Sequence, residues 1–173
     1  MAQLAFQIRP ATAADLPRIA ALHAESWQAA YAGEFPKARL EGGIREQLLR
    51  KWAAYQPQPG DILLLAEHAG TPAKLLGFCA VWCRPEPYLD NLHVSPAAHG
   101  LGTGSALFRA AVRQLLAQGR QSLSLTVFQS NQKARAFYAG LQGTEAGALE
   151  LDVFGSPVPS VTVVWPDLSR LKV

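Results

Sequence analysis

Hydrophobic and polar positions along the chain recur with two different periods, and the switches between them predict an alternating series of strands and helices. Leu4 to Arg9 alternates with period two, the mark of a half-buried strand, and Pro10 ends it. Thr12-Ala-Ala-Asp15 then reads as a capping box, in which two side chains satisfy backbone N–H groups left free at a helix start. The helix it opens carries Leu16, Ile19, Ala20 and His23 on one face, with Pro17 confined to the first turn. A second helical pattern runs from about Ile44 to Tyr55 and is broken by Pro57, Pro59 and Gly60.

Ile62 to Glu67 and Lys74 to Trp82 are strand-like runs joined by His-Ala-Gly-Thr-Pro, which predicts a hairpin. After Arg84-Pro-Glu-Pro comes another strand, Tyr88 to Val94. The clearest helix spans Gly104 to Gln118, where Leu107, Phe108, Ala111, Val112, Leu115 and Leu116 share a face, and Gly119 stops it. Ser122 to Val127 follows as a strand, and Ser130 or Asn131 caps a helix that aligns Ala134, Phe137, Tyr138 and Leu141. Two last strand-like runs, Thr144 to Val153 and Ser160 to Trp165, flank the turn Gly-Ser-Pro-Val-Pro. Hairpins early and a β-α-β-α series late predict a mixed sheet with helices on its faces. One helix joins Tyr88–Val94 to Ser122–Val127, so these two strands are expected to run parallel.

Composition narrows the function. The 173 residues suit one domain spanning 1–173, and 49% hydrophobic against 17% charged residues describes a folded chain. The net charge is +3 and the longest basic cluster is Arg50-Lys51, so no nucleic-acid partner is expected, whereas one polyanionic small molecule at a local site fits. No apolar run approaches the ~20 residues of a membrane span, so no membrane partner is expected. The N-terminus has neither a basic leader nor an unbroken apolar stretch, and the expected compartment is the cytoplasm. Cys79 and Cys83, four apart in an extended run, are too distant to bond to each other and are expected to be reduced core residues. The histidines, at 23, 68, 93 and 99, show no metal-binding spacing, and no metal is expected.

The most informative stretch is Leu92-His-Val-Ser-Pro-Ala-Ala-His-Gly-Leu-Gly-Thr-Gly-Ser105, a strand end, a glycine-rich turn and the strongest helix in succession. Unpaired N–H groups at such a helix start, with the helix dipole behind them, make an anion site, and glycines let a phosphate approach the backbone. A pyrophosphate is the natural guest; the other reading is a turn shaped only for close packing. The spacing Gly100-Leu-Gly102-Thr-Gly104 fits neither G-x-G-x-x-G with its later acid nor a P-loop with its Gly-Lys.

Val94-Ser-Pro96 followed by His99-Gly-Leu-Gly-Thr-Gly104 resembles the acetyl-CoA motif of the GNAT superfamily of N-acetyltransferases, Gln/Arg-x-x-Gly-x-Gly/Ala, with His99 in the place of Gln or Arg. Asn131-Gln-Lys-Ala-Arg-Ala-Phe-Tyr138 is similar to the family's Asn…Ala…Phe-Tyr helix, and Ile8-Arg-Pro-Ala-Thr-Ala-Ala-Asp-Leu16 to its opening. The resemblance covers most of the chain. It implies an α/β (α+β) fold of GNAT type, with a central mixed, mostly antiparallel sheet of six to seven strands, about four flanking helices and one splayed parallel pair. It also implies transfer of an acetyl group from acetyl-CoA to a primary amine of a small molecule or peptide, and it admits a homodimer.

On this resemblance, Leu92, His93 and Val94 offer backbone groups to the pantetheine arm and thioester. His99, Gly100, Leu101, Gly102, Thr103, Gly104 and Ser105 form the cradle, and Asn131 and Arg135 join them as coenzyme-binding candidates. Tyr138 matches the tyrosine that protonates the CoA sulfur, its other reading being a core aromatic beside Phe137. An alkylammonium, with a pKa near ~10, must lose a proton before its nitrogen attacks. Strand alternation puts Glu86, Tyr88 and Asp90 on one face if the strand extends back that far, and Asp90 is the first candidate base, with Glu86 the alternative. Asp90 as a structural carboxylate is the competing reading. For the acceptor, Trp27 and Tyr31, at i and i+4 in the segment between the first helices, make either an aromatic wall, with Tyr88 nearby, or a core-facing stripe. A non-catalytic acyl-CoA sensor on the same fold is the alternative function.

Overall fold

The structure is a computed structural model and describes residues 6–173. The first alternating run forms β1 (Phe6–Pro10), while Leu4 and Ala5 lie outside the described residues. The Asp15 carboxylate accepts from the Thr12 backbone N–H at 2.8 Å and its hydroxyl at 3.0 Å, turning the chain into α1 (Leu16–Tyr31). Because α1 runs to Tyr31, Trp27 and Tyr31 stand on its last two turns and not in a connecting loop. A one-turn helix, α2 (Lys37–Arg39), passes through a π turn at Leu40–Ile44 into α3 (Arg45–Ala53). The expected helix from Ile44 is therefore α3 with a loosened entry, and Gly42-Gly43, poor helix formers, lie in that π turn.

The strands β2 (Ile62–His68) and β3 (Thr71–Cys83) form the predicted hairpin, with the connection reduced to Ala69-Gly70. Then follow β4 (Pro87–Val94), α4 (Thr103–Ala117), β5 (Leu123–Phe128), α5 (Gln132–Gly140), β6 (Thr144–Val153) and β7 (Ser156–Trp165). The last turn is Phe154-Gly155, so Pro157 and Pro159, expected in it, lie within β7. β7 pairs with β5 only from Ser160 onward; beyond it the Pro159 carbonyl accepts the Gln129 N–H at 2.9 Å, and the prolines' missing N–H groups fall where the β5 ladder has ended, a place where a sheet tolerates them.

The seven strands make one sheet in the order β1-β2-β3-β4-β5-β7-β6, antiparallel everywhere except between β4 and β5. That parallel pair is joined by a single register match, Tyr88 with Ser124, and the strands diverge from there towards Val94 and Phe128. One face of the sheet packs on α4 and α5 through residues such as Cys79, Val81, Leu107, Phe108, Leu115, Tyr138 and Trp165. The other packs on α1 and α3 through Ile19, Leu22, Trp52, Phe78 and Ala80. Both cysteines are free and buried, and burial pushes the Cys79 thiol up to about 12, as befits an inert core group.

Candidate active site

The glycine turn begins where β4 ends. Ser95 donates its backbone N–H to the Leu76 carbonyl at 2.8 Å, a short turn follows at Pro96–Ala98, and the chain then crosses Gly100 and Gly102 before entering α4. Gly100 and Gly102 have φ of +77° and +78°, a region that residues with a Cβ avoid. A Cβ on either would meet no atom within 4 Å, so the surface over the turn is open. Gly102 is the N-cap of the 15-residue α4 and no side chain caps it, which leaves the first N–H groups of that helix available to an anion. Leu101 is exposed beside it, Ser105 is half-buried, and the hydroxyl of Thr103 is buried without a hydrogen-bond partner. Gly104 serves a different purpose: a Cβ there would press on Phe137 at 3.3 Å, so its smallness lets α4 approach α5. The His99 ring donates from Nε2 to the Val94 carbonyl at 3.0 Å and so braces the turn against the strand end.

The gap between β4 and β5 is the second component. Past Tyr88, Leu92, His93 and Val94 pair with β3 and have no register partner on β5, as the expected splay requires. A bulge interrupts β4: Ala80 lies opposite Asn91 and Val81 opposite Leu89, leaving Asp90 as the extra residue. Simple alternation would send Asn91 with Leu89 to the α4 face. The bulge instead puts Asn91 opposite Ala80, on the α1 side with His93, while Leu92 and Val94 pack with α4. Asp90 receives the Lys51 ammonium at 2.7 Å and the Asn91 amide at 2.5 Å. Tyr88, opposite Trp82, points to the same α1 side. Glu86 is exposed in the bend before the strand, because β4 starts at Pro87; alternation does not carry it to the face of Tyr88.

A cluster that sequence reasoning missed lies beside Asp90. The His93 side chain stacks on Phe78, 5.5 Å between ring centroids, and its Nδ1 shares a 2.8 Å hydrogen bond with the Ser26 hydroxyl. The His23 ring is 4.5 Å from it, and His23 Nδ1 accepts the indole N–H of Trp52 at 2.9 Å. Burial and the nearby Lys51 cation lower His93 to about 4, and burial holds His23 far below the usual imidazole value. Both rings are neutral at pH 7. The one available signal was His23, a titratable residue on the apolar face of α1.

On the β5 side, Asn131 caps α5, its carbonyl oxygen accepting the Ala134 N–H at 3.1 Å, and its amide reaches the Tyr31 hydroxyl at 3.4 Å. Tyr138, two turns further, is buried in the α4-side core with its ring 6.0 Å from that of Trp165. Burial raises its phenol above the ordinary tyrosine value, which keeps the proton in place. Arg135 is tied elsewhere, to Glu145 at 2.7 and 3.0 Å and to the Gln129 carbonyl at 2.9 Å.

An open glycine turn at a helix start, a splayed parallel pair and a buried tyrosine along the next helix are found together in this chain. The family model described as the acetyltransferase (GNAT) family matches residues 21–143. The chain belongs to the GNAT acetyltransferase family. Along 95% of both chains it is 23% identical to the uncharacterized N-acetyltransferase YuaI of Bacillus subtilis. Its fold is similar to that of the PaiA N-acetyltransferase of Thermoplasma acidophilum, crystallised with coenzyme A, at TM-score 0.68 and 23% identity over 91% of this chain and 98% of that one. It is also similar to YncA of Salmonella typhimurium, a putative acetyltransferase solved with acetyl-CoA, at TM-score 0.64 and 18% identity over 98% and 97% of the two chains.

In this acetyltransferase the wall of Trp27 and Tyr31 exists, with ring centroids 4.6 Å apart. It is half-buried against Phe35, Phe128 and Phe154, so much of it is the core-facing stripe that the sequence offered as the other reading. The Arg39 guanidinium bonds the Phe154 carbonyl and, at 2.8 Å, the Ser156 hydroxyl, which fixes the β6–β7 turn over α2. Beside it an open groove of about 440 Å³ is lined by Glu34, Phe35, Pro36, Arg39 and Ser156 to Pro159. Glu34 also accepts from Ser130, next to the α5 cap, at 2.6 Å, which places the groove close to the end of β5. Among the described residues no group of three or more His, Cys, Asp or Glu could hold a metal ion, and no helix is long and apolar enough to cross a membrane.

Proposed function

We propose that this acetyltransferase moves an acetyl group from acetyl-CoA to a primary amine by direct attack of the amine nitrogen, without a covalent enzyme intermediate. The carrying observation is the coupling of an open, uncapped helix start at Gly102 to a gap between β4 and β5 that shares the same strand end. Two relatives of the same fold, described in their solved structures with coenzyme A and with acetyl-CoA, support the choice of ligand. Bound there, acetyl-CoA supplies an activated acyl carbon and a thiolate leaving group. The N–H groups at Gly102 to Ser105 receive the pyrophosphate, the backbone of Leu92 to Val94 lines the arm, and Asn131 orients it. Arg135, held by Glu145, contributes through the position of α5.

The Asp90 carboxylate, oriented at the bulge by Lys51 and Asn91, takes the proton from the amine directly or through one water. Tyr138, whose phenol stays protonated, gives a proton to the departing sulfur from the α4 side. The acceptor enters from the α1 side, along Tyr88 and the groove between Glu34 and Pro159. Melting temperatures with saturating acetyl-CoA, CoA, NAD and ATP test the reading, since a ligand at 100 times its Kd adds about 2.7 kcal/mol to stability. A rise with CoA species alone supports it, and a rise only with NAD or ATP overturns it. Release of free CoA in a panel of amines then separates the enzyme from an acyl-CoA sensor, which would bind and release nothing.

A further inference from the structure

We infer that His93 is a further catalytic residue, whose imidazole donates a hydrogen bond from Nε2 to the thioester carbonyl oxygen as negative charge develops on it. The inference rests on the acetyl-CoA reading above and assigns a group on the α1 side of the gap that the reading leaves without a task. His93 lies on the part of β4 that has no register partner on β5, and its side chain is on the face covered by α1. Tyr138 belongs to the core on the opposite face. A thioester lodged between the diverging strands would thus have its sulfur towards Tyr138 and its carbonyl towards His93.

The proposed role assigns the direction of the hydrogen bond to Ser26. Among the described residues the Ser26 hydroxyl bonds only His93, and in this assignment it is the donor to Nδ1. A neutral ring that accepts at Nδ1 carries its proton at Nε2, and Nε2 has no hydrogen-bond partner among the described residues. The tryptophan indole is a donor only, so His23 likewise accepts at Nδ1 and is neutral.

The groups that face His93 are His23 and Ser26 from α1, Phe78 from β3, Lys51 from α3 and Asp90 from its own strand. Of these only Asp90 favours a charged ring, and it is already paired with Lys51. An imidazole kept neutral by such surroundings is a poor proton acceptor at pH 7 yet retains its N–H, the property an oxyanion donor needs. The Phe78 stack and the Ser26 bond hold the ring in one orientation before any ligand arrives, and Ser26 is a positioning residue.

The test is the infrared carbonyl band of acetyl-CoA labelled with ¹³C at the acetyl carbonyl, read on the bound molecule and needing no acceptor. In the wild type the band should lie below that of free acetyl-CoA. In His93→Ala it should return towards the free value while acetyl-CoA still raises the melting temperature, and His93→Gln, which keeps an N–H donor, should retain part of the shift. With an active amine, His93→Ala should lower kcat by about 10²-fold at unchanged KM for acetyl-CoA, and Ser26→Ala by less. An unmoved band in a folded, coenzyme-binding His93→Ala overturns the inference alone. Equal losses in the Ala and Gln variants, with disappearance of the acidic limb of kcat, overturn it by making His93 the base. A wild type that shows neither bound band nor thermal shift overturns the acetyl-CoA reading and this inference with it.

Discussion

Tyr138 illustrates how burial selects a role for one side chain. Phenols are proton donors only while protonated, and burial holds Tyr138 above its ordinary value of about 10. Its ionisation therefore does not limit activity below about pH 10. Tyr138→Phe should lower kcat by about 10²-fold with little change in the KM for acetyl-CoA. An unchanged kcat would return Tyr138 to the core as an aromatic filler beside Phe137. Asp90 is judged on the other limb: Asp90→Asn should depress kcat at neutral pH, leave acetyl-CoA affinity nearly unchanged and abolish the acidic limb of the profile. A profile identical to wild type removes it as the base. The candidates that the sequence could name, Gly100 to Ser105, Asn131 and Tyr138, share a property: each lies in a short contiguous stretch that matches a motif. Ser26 and His93 are 67 residues apart, and Lys51 and Asp90 are 39 apart. Their pairing depends on which face β4 presents after its bulge, and no local pattern reports that.

The elements that make the gap also decide how it tolerates change, and two glycines separate ligand effects from framework effects. At Gly102 a methyl group has room, but the left-handed backbone costs an L-residue about 1–2 kcal/mol and the methyl would intrude on the open turn. Gly102→Ala should raise the KM for acetyl-CoA more than it affects kcat. Gly77 on β3 is different, because a Cβ there would stand 2.9 Å from the His93 carbonyl oxygen and 3.1 Å from Leu107 Cδ1. Gly77→Ala must push β4 away from β3 at the splayed segment, so it should lower both the melting temperature and kcat. If the two variants behave alike in a thermal scan with and without acetyl-CoA, the turn has no special part in binding. The strand and helix order was legible because most elements keep their period over enough residues to show it, and the parallel pair followed from its crossover helix. What was not legible depended on neighbours. Pro157 and Pro159 marked a turn by composition, yet they continue β7 because β5 ends before reaching them. The length of α1 was hidden because the sequence assigned Trp27 and Tyr31 to the segment between the first helices, whereas α1 runs through both.

At the scale of the molecule, the opposite end of the sheet carries a charge network that adds to the response of the fold to acid, beside that of the buried neutral His23 and His93. Arg9 on β1 bonds Asp15 at 2.8 Å and Glu67 on β2 at 2.8 Å, and Arg18 from the first turns of α1 reaches the same two carboxylates at 3.1 and 2.8 Å. Asp15 and Glu67 are 4% and 3% exposed, so neither is supported by water and each depends on the guanidinium groups. Those partners, Arg9 first for both, hold the two carboxyls below their ordinary values. A carboxyl depressed in the folded state binds its proton more readily in the unfolded chain. Its contribution is therefore fully present above the ordinary carboxylate range of about 4 and is lost as pH falls through the folded values. The urea stability of the wild type should begin to fall below about pH 6.5, where the unfolded chain protonates His23 and His93 while the folded chain keeps them neutral, and fall more steeply below about 4 as the two carboxyls are protonated. Glu67→Gln removes one of the two buried carboxylates that bond Arg9 and Arg18 and should cost about 3 kcal/mol at pH 7, with a correspondingly shallower fall in acid. Because β1 is three strands from β4 in the sheet, the variant that remains folded should keep its kcat. A Glu67→Gln protein whose stability falls between pH 7 and 3.5 as far as the wild type's does would show that acid unfolding starts from other groups, the buried histidines among them, and that this network only seats β1.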